Sequence, residues 1–155
     1  MDISEQQLHE LITCPKDIIS KPRKDFLCTN GCRRNDFTAK STTDESFRIF
    51  MRQNLRLPED YSIGLIWECQ ENHEDITLCR FNGPHGGNKK MVTHFVTHIH
   101  ELNLELAKED VFKESAVKET HAYATFTDAI YAFCEHCHIK GAIRFFPTAY
   151  SQSLF

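Results

Sequence analysis

Long apolar runs are missing from this chain of 155 residues. Stretches such as Ile63 to Trp67 and Ala129 to Phe133 fall far short of the roughly 20 residues that a membrane-crossing helix needs, so no bilayer span is expected. Glycine and proline are scarce, at 6 and 5 residues, and no repetitive tract appears, which excludes collagen-like and low-complexity architectures. The opening residues MDISEQQLHE are acidic and polar where a secretory leader has a basic start and an apolar stretch. A cytosolic setting is expected. Seven cysteines, an odd number, do not make a disulfide framework in a reducing compartment.

What is present is enough for a packed core. With 41% apolar and 26% charged residues, the length fits one domain spanning residues 1–155. The formal charge of −4 conceals an asymmetry, because Lys16 to Arg56 holds ten Lys and Arg against five Asp and Glu. That portion can attract a polyanion while the rest repels it.

Hydrophobic spacing then sorts the chain. Ser4 with Gln7 forms a capping box ahead of Leu8, Leu11 and Ile12, which predicts an N-terminal helix followed by a polar connector, together residues 1–20. Phe26 to Thr29 and Phe37 to Ser41 read as strands around Asn30-Gly31, with a longer loop over Cys32 to Asp36. Phe47, Ile49 and Met51 alternate with Arg48, Phe50 and Arg52, as on a strand with one dry and one wet face. Tyr61 to Cys69, Ile76 to Phe81 and Met91 to His100 supply further strands. Helical spacing returns at Glu101 to Ala107 and, more strongly, after Thr125, with Gly141 as the expected stop. Residues 142–155 read as an aromatic tail: an edge strand, a partner-binding arm or a flexible end. The sum is an α+β domain with a mainly antiparallel sheet of about five or six strands and helices packed on one side.

The chemistry concentrates near the end of this sheet. Side chains alternate along a strand, so His94, His98 and His100 share one face. The preceding loop adds His85 on a glycine-rich turn, and Arg80, Lys89 and Lys90 add positive charge suited to a phosphate. Neutral and protonated imidazoles are both available near neutral pH. His98 and His100, with His85 as auxiliary, can therefore act as general base and acid on an RNA phosphodiester while Arg80, Lys89 or Lys90 offsets the developing charge. This needs no cofactor. The alternative chemistry is zinc held by the His98-x-His100 pair with His94 or His85 as third ligand. The same histidines also read as hydrogen-bonded structural residues.

The stretch CRFNGPHGG followed by HFVTHIH, and then HAYATFTDAIYAF, resembles a domain family of unknown function found in small bacterial proteins. It is also loosely similar to the TumE-type toxins, ribonucleases paired with helix-turn-helix antitoxins. The likeness spans about residues 61–140 and implies Arg80, Asn82, His85, His98 and His100 as site positions. Phe81 stands where those toxins carry tyrosine, and the acidic residue of their motif is missing, so its role is not carried over. The implied partners are RNA and an antitoxin-type protein, with a homodimer left open. The rival class is a non-enzymatic interaction protein of a mobile element, in which the acidic stretch from Glu101 to Glu119 meets a basic partner.

Other constellations weigh less. Cys28 and Cys32 with Cys134, Cys137 and His138 have spacings that a structural zinc site tolerates. Phe50 and the other phenylalanines read first as core, with base stacking reserved for those beside the basic region.

Overall fold

The computed structural model describes residues 3–84, 96–105 and 115–152. In chain order these form helix α1 (Glu5–Thr13), strands β1 (Lys16–Ser20), β2 (Leu27–Thr29), β3 (Cys32–Ser41), β4 (Ser46–Asn54), β5 (Tyr61–Cys69), β6 (Glu74–Asn82), β7 (His98–Leu102) and β8 (Ser115–Glu119). Helix α2 (Phe126–His136), strand β9 (Ile139–Lys140), a 3-10 turn (Ala142–Arg144) and helix α3 (Pro147–Gln152) follow. Among the described residues, nine strands make one sheet in the order β8, β7, β6, β5, β4, β3, β1, β9, with β2 also paired to β3. Of its strand pairs only β1 with β9 runs parallel. No helix among these residues is long and apolar enough to cross a membrane.

The sheet is larger than the expected five or six strands, for local reasons. Cys32 to Asp36 is strand rather than loop: Asn30 and Gly31 take positive φ of 51° and 76°, which makes a tight two-residue turn of the kind that matches strand twist. Cys32 therefore pairs directly with Thr29. The polar run stays in the sheet because Asn35, 1% exposed, turns its amide to the Arg23 backbone, donating to the carbonyl and accepting from the N–H at 2.9 Å each. β1 lies in the expected connector. The second helix ends near Cys137 rather than Gly141, since His138 takes a φ of 50° and Ile139 and Lys140 pair alongside Lys16 and Asp17. The tail is no loose end through residue 152: Ala142, Phe146 and Ala149 are buried, and the Phe146 ring meets Phe37.

The helices cover one face of the sheet. Both longer helices begin with a capping box, Ser4 with Gln7 and Thr125 with Asp128, which satisfies backbone donors at each N-terminus. Leu8 and Ile12 of α1 and Phe126, Ala129, Ile130 and Phe133 of α2 join Phe47, Ile49, Met51, Ile63, Leu65 and Phe81 in a single core. Phe81 stacks on Tyr123 and meets Phe133 edge-on.

One cation sits inside this core. Lys16 is 0% exposed, and its Nζ donates to the carbonyls of Ile12 at 2.7 Å, Cys14 at 2.9 Å and Cys137 at 2.8 Å. These acceptors lie at the C-terminal ends of α1 and α2, where orphaned carbonyls and the helix dipole favour a positive charge. The ammonium also stands 4.8 Å from the centre of the Phe47 ring. Burial lowers its pKa from the ordinary 10.5. His138 Nδ1 bonds to the Thr13 carbonyl at the same seam.

Two outcomes follow from this core. Lys16→Met keeps the length of the side chain but leaves three carbonyls without their donor, and is expected to cost about 2–4 kcal/mol in urea denaturation; an unchanged midpoint would remove Lys16 as a clasp. Alkaline pH is the second. The Cys79 thiol is pushed up by its contact with Cys137 and by burial, and burial pushes up Cys134, Tyr61 and Tyr123. Unfolded thiols and phenols ionise near their ordinary 9.0 and 10.0 while the folded groups keep their protons, so the native state binds more protons and loses stability as pH rises. Lys16 opposes this with a single site. Stability is expected to fall from about pH 8 upward in urea titrations.

Candidate functional site

Alternation in β3 to β8 places a second set of side chains on the face away from the helices. Pairing aligns Asp36, Phe50, Gly64, Arg80, His100 and Val117 in one row across the sheet, and Arg34, Arg52, Ser62, Asn82, His98 and Glu119 in the next. The predicted positions Arg80, Asn82, His98 and His100 are thus neighbours, two on β6 and two on β7.

Asn82 is the hub of the second row. It is 3% exposed, and its Oδ1 accepts from Ser62 Oγ at 2.6 Å. Its Nδ2 consequently faces His98 Nε2, 3.4 Å away. On the other side of the ring, His98 Nδ1 lies 2.8 Å from the Val96 carbonyl. A carbonyl only accepts, so Nδ1 carries the proton, and an amide N–H facing Nε2 leaves that nitrogen as acceptor. The two contacts fit an imidazole that carries its proton on Nδ1. Tyr123 closes the strand pair from beneath, with its hydroxyl 3.0 Å from the Asn82 carbonyl and 2.8 Å from that of His98. Gly83 is needed at the β6 exit because a Cβ there would lie 2.1 Å from the Glu59 carbonyl and 2.5 Å from the Tyr61 ring.

His98 and His100 converge, with ring centres 4.9 Å apart at an interplanar angle of 71°. Both are buried, but only His100 lines a cavity. His98 is 0% exposed, whereas His100 retains 7% and lines an open cavity of about 570 Å³ with Phe50, Thr77, Arg80 and Leu102. Glu74, Asp75 and Glu101 also line it. Asp75 is engaged by Arg48 at 3.1 Å. Arg80 is half-buried, and burial lowers its pKa from the ordinary 12.5. No described residue forms a hydrogen bond or ion pair with its guanidinium.

The remaining predicted positions distribute as follows. His85, Lys89 and Lys90, and His94 with them, lie outside the described residues. Among the described residues no group of three or more His, Cys, Asp and Glu side chains is placed to hold a metal ion. Cys28 is exposed in β2, whereas Cys134 and Cys137 are buried, with the Cys137 sulfur 4.0 Å from that of Cys79. The four thiols considered for zinc do not converge. Sequence reasoning missed Ser62, Tyr123 and Gly64. Ser62 carries no motif, but its place opposite Asn82 follows once the β5 to β6 register is known.

Comparison of the chain with protein-family models, curated proteins and solved structures finds no match.

The tautomer is directly measurable. In long-range ¹⁵N–¹H spectra at neutral pH, His98 is expected to show a protonated Nδ1 and a bare Nε2, and Ser62→Ala, which releases the Asn82 amide, is expected to cost about 1–2 kcal/mol. A protonated Nε2 would overturn the network as drawn.

Proposed function

We propose that this protein binds RNA on the open face of its sheet and cleaves it as a toxin-like endoribonuclease. The observation that carries the reading is Arg80: a half-buried guanidinium with no carboxylate or carbonyl partner among the described residues, beside His100 in a cavity. A guanidinium held partly out of water without an ion pair of its own favours an anionic ligand, and of the three carboxylates that line the same cavity, Glu74, Asp75 and Glu101, Asp75 is already engaged by Arg48. A planar fork of N–H groups suits two phosphodiester oxygens.

Within this reading His100 is the group that meets substrate. Its imidazole takes the proton of a ribose 2′-hydroxyl, the 2′-oxygen attacks phosphorus, and the bond to the 5′-oxygen breaks as that oxygen takes a proton from water. The product is a 2′,3′-cyclic phosphate. Arg80 offsets the charge that builds on the phosphorane oxygens. The pairing of His98 and His100 as acid and base gives way to a division of labour, since a ring with no exposed surface touches no ligand: His98 positions His100. Asn82 belongs to the same support. An antitoxin-type protein is the partner this activity requires in a cell, and a homodimer is compatible with it.

The burial of His98 also favours the rival reading, an interaction protein without turnover whose histidines are structural. The two part on one assay. RNA incubated with the protein in chelator is expected to yield cyclic-phosphate ends, His100→Ala to slow cleavage by about 10²-fold or more, and Arg80→Gln to weaken RNA binding by about tenfold. Intact RNA together with unchanged binding by Arg80→Gln rejects the proposal and leaves the interaction protein.

A further inference from the structure

Phe50 stands on the wrong face for a core residue. On β4 the buried face carries Phe47, Ile49 and Met51, each 0% exposed, while Phe50 projects opposite them between Arg48 and Arg52. It takes no part in the core cluster. Its ring lies over Gly64, the residue paired with it on β5: a Cβ on Gly64 would come within 2.1 Å of Phe50 Cε1 and 2.3 Å of Cζ. Glycine within a central strand weakens it, and here the missing side chain is the space the ring occupies. Arg80 is paired with the same glycine from the other side. The aromatic ring and the guanidinium, which has no ion pair among the described residues, therefore flank one Cα and line one cavity.

We infer that Phe50 is a base-stacking platform, so that the ligand is single-stranded nucleic acid with a nucleobase on the Phe50 ring and the adjoining phosphate on Arg80. The inference rests on the phosphate reading of Arg80 given above. Stacking on an aromatic side chain is indifferent to base identity because every base has a π-face, and it combines with cations that track the backbone. Those cations are present on the same face. Arg34 stands directly across from Arg52, a like-charged neighbourhood that a phosphate would relieve. Arg52 is already held by Asp60 at 3.1 Å, whereas Arg34 is exposed with no ion pair among the described residues. The strand then runs from Arg80 across Phe50 and past the exposed Asp36 paired with it toward Arg34. A duplex buries its base faces and cannot present one to the ring.

The test uses the whole protein and a 2′-O-methylated hexa-adenylate, which has no free 2′-hydroxyl to attack, beside the same strand with abasic sugars. Fluorescence anisotropy is expected to show the intact strand binding about tenfold more tightly than the abasic one. Phe50→Leu is expected to abolish that difference, and Gly64→Ala to reduce it by displacing the ring. Phe50→Trp preserves the platform, and its added indole fluorescence is expected to be quenched by the intact strand alone, a readout that stands even if Phe50→Leu folds poorly. Equal affinity of both strands for the parent, with Arg80→Gln weakening both, overturns the platform and leaves the phosphate site. Indifference of both strands to Arg80→Gln overturns the phosphate site and the inference with it. Equally tight binding of a duplex also overturns the platform.

Discussion

The alternation of side chains along a strand governs this molecule. Once Phe47, Ile49 and Met51 are committed to the core beneath the helices, Arg48, Phe50 and Arg52 have no choice but the opposite face. The same logic in β5, β6 and β7 brings Ser62, Asn82 and His98 into one row and Gly64, Arg80 and His100 into the next. Burial on one side thus assembles chemistry on the other, and a register slip of one residue would empty the candidate site while driving arginine and histidine into the core.

The helical layer holds that face in place through a small number of polar ties. The ammonium of Lys16 draws together the ends of α1 and α2. Just ahead of α2, the Ala124 carbonyl accepts from the Tyr61 hydroxyl at 2.5 Å, and Tyr123 reaches the Asn82 and His98 carbonyls. A contact on the dry side of the sheet therefore fixes backbone that the wet side depends on. The arrangement separates support from chemistry: His98 is locked by Val96 and Asn82, whereas His100 and Arg80 open onto the cavity.

Much of this was legible in the sequence, and the failures share a cause. Ser4 and Thr125 announced their helices because capping is local chemistry, and the β5 span could be read from its apolar, β-favouring residues. Polar side chains that find buried partners misled. The run from Cys32 to Asp36 looked like a loop because nothing nearby in sequence shows Asn35 serving the Arg23 backbone. β1 was hidden because a lysine at its start reads as solvent-exposed unless two distant helix ends are known to meet it. At the site, strand parity placed His98 and His100 together, but it could not tell a sealed imidazole from one facing a cavity. Phe50 read as core because hydrophobicity outweighs parity for a lone aromatic, and only Gly64 opposite it shows why the ring lies where it does.

The clasp at Lys16 also sets an order of events. Its bond to the Cys137 carbonyl spans 121 positions, among the least local contacts in the fold, and contacts of that separation form late because the intervening chain must first be ordered. While the protein is being synthesised, the β3 to β6 meander can assemble from neighbouring strands, but the lysine must stay hydrated until α2 has left the ribosome. Closure of the seam between α1 and α2 is thereby deferred until α2 has formed.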